Sequence, residues 1–221
     1  MRHTVATELP QSDDISADTL ARVFADTTTS YKYLFFHSLL ESFKEASFSK
    51  RVFPMEELVV GMVAKAWYPV RMFKLSLGYL DKVESFMSEM TGFGDKPVPR
   101  SSLRRAISHS LRDHRLLVRY VPYRILSPFF QEQTRRLPDH QKNSAIRELA
   151  DSGFDSVKPL FRFLDDDSIE LHPLWADYLS RNLAIVSGWA ELQWVAFLES
   201  RNPSGLLPRN ETSLRVREPA I

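Results

Sequence analysis

Arginine is concentrated in one part of the chain. Positions 100–124 hold seven arginines, no lysine and one acid, Asp113, so seven positive charges less one negative charge leave a local charge of +6. A guanidinium grips phosphate oxygens through paired hydrogen bonds, which makes such a segment typical of a surface that contacts a nucleic-acid backbone. The residues for which we predict nucleic-acid binding are Arg100, Arg104, Arg105, Arg112, Arg115 and Arg119.

The spacing of these arginines adds to the prediction. Intervals of three, four or eight residues place side chains on one face of a helix. Tyr120 and Tyr123 add aromatic rings on which bases can stack. The alternative is a solvated helix face whose arginines pair with acids elsewhere, such as Asp165–Asp167. The arginines with this spacing are Arg104, Arg112, Arg115 and Arg119.

A second cluster consists of acids and a histidine. Asp165–Asp167, Glu170 and His172 are residue types that bind Mg²⁺ or Mn²⁺. A metal-dependent nuclease of the restriction type also needs a Glu-x-Lys on the following strand, and no lysine follows Glu170 here. The default interpretation is an acidic turn, and a cryptic metal-dependent nuclease stays as the alternative.

No other pattern predicts catalysis. His109 and His114 are five residues apart, so on a helix they do not face one zinc ion. The sequence contains none of the zinc-protease, P-loop, nucleophile-elbow or dinucleotide-binding motifs. Asp139-His140 with Asn143 follows the order of an HNH motif, but the spacing is too tight for that metal fold. We therefore predict no catalytic activity of its own, no cofactor and no metal.

Composition favours a helical globular protein. The 221 residues are 43% hydrophobic and 26% charged, with 7 glycines and 15 phenylalanines, which suits helix packing better than turn-rich β structure. The absence of cysteine excludes disulfides and thiolate metal sites. Apolar stretches are far shorter than the ~20 residues of a membrane span, and the N-terminus has no apolar signal core. We expect a cytoplasmic protein that does not interact with membranes.

Periodicity predicts the elements that position these residues. The expected fold is mainly α, a multi-helix globular bundle, with a small β-hairpin near residues 160–172 or, as the alternative, a helix end and loop. Residues 116–126 are expected to be extended, because Pro122 forbids a regular helix through them. The aromatic residues of the last helix predict a core stripe, with a groove or dimer interface as the alternative. Helices are predicted from Ser16, over Tyr31–Ala46, Pro54–Trp67, Leu80–Met90 and Leu103–Leu111, near 128–134 and 139–152, and over Pro173–Arg201.

Three regions follow from this pattern. Residues 1–14 are expected to form a flexible N-terminal arm, residues 15–205 a helical domain, and residues 206–221 a C-terminal tail. Within the helical domain, two glycines and two prolines at 92–99 mark a candidate subdomain boundary.

Several segments resemble one bacterial family, the HNH-endonuclease domain proteins. They occur in the same order as in that family and span roughly residues 20–205. The resemblance implies that this chain corresponds to the helical N-terminal region that precedes the nuclease in those proteins. The segments are Thr28-Thr29-Ser30-Tyr31-Lys32-Tyr33-Leu34-Phe35-Phe36, Ala66-Trp67-Tyr68-Pro69-Val70, Lys74-Leu75-Ser76-Leu77-Gly78, Val121-Pro122-Tyr123-Arg124-Ile125-Leu126, Trp175-Ala176-Asp177-Tyr178-Leu179 and Phe197-Leu198-Glu199-Ser200-Arg201-Asn202-Pro203.

In that family the HNH nuclease follows this region with an Asp-His pair, an Asn and a bound metal. The sequence reaches Ile221 before any such segment, so no catalytic residue is carried over. The alternatives are a natural relative without the nuclease, a nuclease supplied by another polypeptide, or a truncated chain. The resemblance also implies a part of a phage-defence or mobile-element system.

These observations lead to one expected function and two alternatives. We expect a non-catalytic helical module that binds DNA or docks onto a nuclease or ATPase partner in a bacterial phage-defence-type complex. The first alternative is a protein-interaction or oligomeric adapter subunit that does not bind DNA. The second is the metal-dependent nuclease, for which Asp167→Ala would abolish Mg²⁺-dependent cleavage.

Overall fold

Helices form most of the chain. The computed structural model describes residues 8–90, 97–111 and 115–203. The predicted fold class is confirmed: the protein is mainly α, with a small three-stranded antiparallel sheet. Helices α1 to α5 are Ala17–Ala21, Tyr31–Glu45, Met55–Trp67, Lys82–Glu89 and Arg100–Ser110. Helices α6 to α10 are Arg115–Val118, Val121–Leu126, Gln131–Thr134, Asp139–Ser152 and Pro173–Arg201.

Shorter elements connect these helices. A 3-10 turn over Arg22–Phe24 follows α1, and another over Ser127–Phe130 joins α7 to α8. One π-helical turn, Tyr68–Met72, continues directly from α3. Strands β1, β2 and β3 are Val52–Pro54, Phe161–Phe163 and Ser168–Leu171.

Helix starts follow capping chemistry. The Ser16 hydroxyl accepts a hydrogen bond from the Thr19 amide at 3.3 Å, which caps α1 as the sequence predicts. Helix α3 begins directly after Pro54 and has two glutamates in its first turn, where carboxylates favour the positive end of the helix dipole. The His172 ring nitrogen Nδ1 accepts from the Leu174 amide at 3.2 Å and caps α10.

One hydrophobic core joins helices α2, α3 and α10. Gly61 of α3 lets α2 approach closely, because a Cβ atom there would lie 2.0 Å from the Ser38 hydroxyl oxygen. Helix α10 bends at Asn182, whose side-chain amide donates to the Tyr178 carbonyl at 3.0 Å. All four large aromatic residues predicted to form its stripe are buried, which confirms the core interpretation: Trp175, Tyr178, Trp189 and Trp194.

The predicted hairpin exists and carries a third strand. Strand β2 pairs antiparallel with β3, and β1 pairs with the other edge of β3, with Phe53 opposite Ile169. The sequence pattern missed β1, because three residues are too few for an alternation signal and their partner lies more than a hundred positions away. Phe53, Phe161 and Ile169 are fully buried, so the sheet closes one side of the core.

The structure corrects the prediction for residues 116–126. They are helical rather than extended, as the end of α6 and the whole of α7. Pro122 lies in the first turn of α7, where its missing N–H costs no hydrogen bond. The arginines lie on more than one helix, because α5 ends at Ser110 and α6 begins at Arg115.

The predicted arm is packed at its C-terminal end. Leu9 is buried, and the Pro10 carbonyl accepts from the Tyr178 hydroxyl at 2.7 Å. The candidate boundary at 92–99 lies largely outside the described residues, and the predicted tail 206–221 lies outside them entirely. Core residues from both sides of that boundary belong to one hydrophobic cluster. None of the described helices is long and apolar enough to cross a membrane.

Candidate nucleic-acid interface

The first part of the arginine segment lies on α5. Leu103 and Ile107, one turn apart, are buried and attach α5 to the core. Arg100 forms a short ion pair with Glu41 and lies 3.8 Å from Glu45. The hydrogen bond that Arg100 donates to the Glu41 carboxylate raises the pKa of Arg100. Arg100, one of the predicted partners of phosphate, therefore already lies beside two carboxylates of α2.

Arg104 and Arg105 are neighbours in sequence but differ in exposure and in ion pairing. Arg104 is only 20% exposed and lies 3.8 Å from Glu45. Arg105 is exposed and forms no ion pair with any residue that the structure describes. Arg112, the fourth predicted site residue, lies outside the described residues. The α5 region thus offers one open guanidinium, Arg105, beside two that face acids.

The acidic turn is built from ion pairs and turn hydrogen bonds. Asp167 accepts two hydrogen bonds from Arg115, at 2.7 and 2.9 Å, and Asp166 accepts one from Arg147 at 2.8 Å. Asp165 accepts from the Asp167 amide at 2.8 Å, and this hydrogen bond lowers the pKa of Asp165. The alternative that arginines pair with this turn therefore holds for Arg115.

The remaining candidate metal ligands, Glu170 and His172, also have protein partners. Glu170 accepts from Arg162 at 2.8 Å, and His172 uses its Nδ1 atom to cap α10. Burial lowers the pKa of His172. Within residues 8–90, 97–111 and 115–203, no group of three or more histidine or carboxylate side chains is arranged to hold a metal ion.

A shallow groove lies on one side of the start of α7. It has a volume of about 320 Å³, and we call it the Arg119 groove. Its three cations are Arg115, Arg119 and Arg147, and its acid is Asp166. The Arg147 guanidinium also lies 5.3 Å from the ring centroid of Phe163, which holds this cation at the groove wall.

A larger cleft lies on the other side of α7, between α7 and the N-terminal end of α2. It has a volume of about 690 Å³, and we call it the Arg124 cleft. Its cations are Arg22, Lys32 and Arg124, and its acid is Asp26. Tyr120, which is 52% exposed, forms part of the wall.

The two hollows adjoin along the chain at α7. Arg119 lines the groove and Tyr120 lines the cleft, and the guanidinium lies 5.2 Å from the centroid of the tyrosine ring. Val121, Ile125 and Leu126 are buried and attach α7 to the core, which leaves Arg124 on its exposed side. Arg119 and Arg124 form no ion pair with any described residue. We call the groove and the cleft together the cationic surface.

Lys32 is the most enclosed cation of the cleft. Its ammonium donates to the carbonyls of Val23 at 2.9 Å and Asp26 at 2.7 Å, which ties the 3-10 turn after α1 to α2. Burial lowers the pKa of Lys32; the Asp26 carboxylate acts in the opposite direction, and the Arg124 charge lowers it further. Two cations that repel each other beside a cleft favour the binding of an anion.

The sequence identified only part of this surface. Arg115 and Arg119 are among the predicted site residues, and Arg124 belongs to the same segment. Arg22, Lys32 and Arg147 were missed, because each lies in a different helical region and no local pattern links them to residue 124. Two of the segments that carry the family resemblance, at 28–36 and 121–126, also meet at the Arg124 cleft.

The chemistry of this surface is that of anion binding. It presents guanidinium and ammonium donors together with an aromatic ring, and it holds no described pair of nucleophile and base. Comparison with known proteins gives no match to a family model, to a curated protein or to a solved structure.

Proposed function

We propose that this chain is a non-catalytic helical module that binds DNA through the backbone phosphates at the cationic surface. The observation that supports it is the charge of that surface. The two hollows are lined by six cations and two acids, and Asp167 beside Arg115 adds a third acid. Contacts of this kind give affinity that does not depend on base sequence.

The proposal includes a partner. The resemblance to the helical region of HNH-endonuclease proteins supports a place beside a nuclease or ATPase in a bacterial phage-defence-type complex in the cytoplasm. In such a complex, phosphate contacts would hold the DNA while the partner carries out the chemistry. The chain would then contribute position rather than catalysis.

Binding of a labelled short DNA duplex across a salt series tests the proposal. The matched variant is Arg119→Ala/Arg124→Ala, which removes two exposed cations that form no ion pair with a described residue. We expect wild-type affinity to fall steeply with salt. We expect the variant to lose roughly tenfold or more in affinity at low salt, and its salt slope to decrease by about 2, since each phosphate contact contributes about 0.9.

Two outcomes contradict the proposal. Absence of wild-type binding at low salt removes the direct role in DNA binding. Binding that the variant retains unchanged removes the cationic surface as its location. Far-ultraviolet circular dichroism of both proteins serves as the folding control.

An apolar segment favours a second candidate, the protein-interaction or adapter subunit. Phe73, Tyr79 and Leu80 are 72%, 97% and 62% exposed and lie within eight residues of the chain. Exposed large apolar side chains in one place indicate a contact with another protein. Light scattering of the wild type and of Tyr79→Ser/Leu80→Ser tests this candidate. A wild-type oligomer that the variant does not form supports it. If both proteins are monomers, the segment can only contact a protein other than a second copy of this chain.

A further inference from the structure

The Arg124 cleft differs in shape from the rest of the cationic surface. Its volume of about 690 Å³ falls within the range of roughly 300–1,000 Å³ that is typical of small-molecule pockets. The Arg119 groove has less than half of that volume. We expect a duplex to lie across either hollow, and a small ligand or a single nucleotide to fit within the cleft.

The cations of the cleft come from two sides, from the residues between the end of α1 and the first turn of α2 and from α7. Arg22 and Arg124 are exposed, and the ammonium of Lys32, in the first turn of α2, lies against the 3-10 turn after α1. Asp26 is the single acid of the lining, so the described lining carries two net positive charges. Arg22 donates to the Thr19 hydroxyl at 3.1 Å, which holds its guanidinium near the rim and leaves further N–H groups available.

The cleft also has a surface for an aromatic ring. Tyr120 is half exposed in the wall, and the Arg119 guanidinium lies 5.2 Å from its ring centroid. Bases stack on tyrosine rings without regard to sequence, and a neighbouring guanidinium strengthens that contact. Ser127 and Gln131 add hydrogen-bonding groups to the same lining.

We propose that the Arg124 cleft binds one nucleoside phosphate, with Arg22, Lys32 and Arg124 on the phosphate and Tyr120 against the base. The nucleotide is either free or one unit of a single strand. The inference rests on the proposed function only for the second source, where a strand that crosses the cationic surface inserts one nucleotide into the cleft. For the first source it stands without DNA binding.

Calorimetric titration of the full chain with 5′-dAMP, deoxyadenosine and inorganic phosphate tests the inference. We expect 5′-dAMP to bind the wild type roughly tenfold or more tightly than either of the other two, because only 5′-dAMP engages both the cations and the ring. Arg124→Ala should lose roughly tenfold in affinity for 5′-dAMP. Tyr120→Leu should weaken 5′-dAMP binding and leave phosphate binding unchanged.

Arg181→Ala is the matched control, since it removes one exposed arginine of α10 that lines neither the cleft nor the groove. It should leave 5′-dAMP binding at the wild-type value. Equal affinity for 5′-dAMP and phosphate overturns the inference, as does a Tyr120→Leu variant that is folded and binds 5′-dAMP normally. Thermal unfolding of each variant shows whether it is folded.

The same titration with a short oligo(dT) strand and with a duplex distinguishes a free nucleotide from one unit of a strand. It also distinguishes the cleft inference from the proposed function. Oligo(dT) that binds more tightly than 5′-dAMP and displaces it identifies the strand, and the reverse order identifies the free nucleotide. Duplex binding without 5′-dAMP binding overturns the cleft inference and leaves the proposed function. Binding of 5′-dAMP without duplex binding supports the cleft and contradicts the proposed function.

Discussion

The arginines of α5 and those around α7 come from one segment of sequence, yet their surroundings differ. Arg100 and Arg104 face Glu41 and Glu45 at the C-terminal end of α2. Arg124 faces Lys32 at the N-terminal end of the same helix, and no described acid pairs with it. Helix α2 therefore neutralises one arginine region with its acids and reinforces the other with a cation.

The comparison shows that local charge density is a weak guide to a binding surface. Seven arginines in 25 residues predict one continuous patch. The break between α5 and α6 separates them, and long-range neighbours determine which guanidinium groups remain available. The region with fewer predicted site residues, around α7, is the one that gathers additional cations.

The largest expected effect comes from reversing one charge in each region. Arg124→Glu should weaken duplex DNA binding by roughly thirtyfold at low salt, because it replaces an unpaired cation with an anion beside the phosphates. Arg100→Glu should change binding by less than about threefold, because Arg100 is held beside Glu41 and Glu45 and is not expected to contact phosphate. Anisotropy titration measures the loss of DNA affinity in both variants. Equal losses would contradict the difference between the two arginine regions.

A gain of binding should follow when the acids of α2 are removed. Glu41→Gln/Glu45→Gln leaves Arg100 and Arg104 without carboxylate partners and should raise duplex affinity by roughly three- to tenfold. The unfolding free energy should fall by about 1 kcal/mol or less, since these pairs are partly exposed.

The matched control removes two acids from α10 instead. Asp177→Asn/Glu199→Gln changes the net charge equally, and both residues are exposed. If this control raises affinity as much as Glu41→Gln/Glu45→Gln does, total charge rather than the freed arginines explains the gain.

A smaller effect is expected from pH. Burial lowers the pKa of Lys32, so its charge is lost at a lower pH than the ordinary value of 10.5. As pH rises toward 10.5, wild-type affinity for DNA should decrease by roughly threefold relative to Lys32→Arg, whose guanidinium stays charged. Anisotropy titrations at several pH values compare the two proteins, and parallel curves would remove Lys32 from the site.

The smallest effect on binding, none at all, is expected from His37 in the middle of α2. The pKa of His37 is lowered to about 4, chiefly by burial and also by the Lys65 charge, against the opposing charge of Glu191. The unfolded chain gains a proton near pH 6.5 whereas the folded chain does not, so stability is present above pH 6.5 and decreases as pH falls toward 4.

His37→Gln should therefore remove about 3 kcal/mol of the destabilisation that acid causes between pH 6.5 and pH 4. Denaturant unfolding of both proteins at several pH values measures the difference. His172 contributes a loss of the same sign to both proteins, so only the difference between them reports on His37. An unchanged pH dependence in the variant would contradict the burial of a neutral His37.

Periodicity and capping predicted the fold class and most helices from particular residues. Ser16 begins α1, Pro54 precedes α3, and the pattern from Pro173 to Arg201 corresponds to α10. Each of these signals acts within a few residues of the chain, which is why it can be read locally. Residues 116–126 were predicted wrongly, because Pro122 is compatible with a first helical turn as well as with an extended chain.

The sequence by itself determined the helical character of this protein, the aromatic core of α10, the hairpin near 160–172 and the position of the arginine segment. Only the tertiary structure decided which arginines are neutralised. Glu41, Glu45, Asp167, Arg22 and Lys32 reach the segment from distant positions through the packing of α2, β3 and the turn after α1. Charge pairing depends on distance in space, and a linear pattern carries no information about that distance until the core has formed.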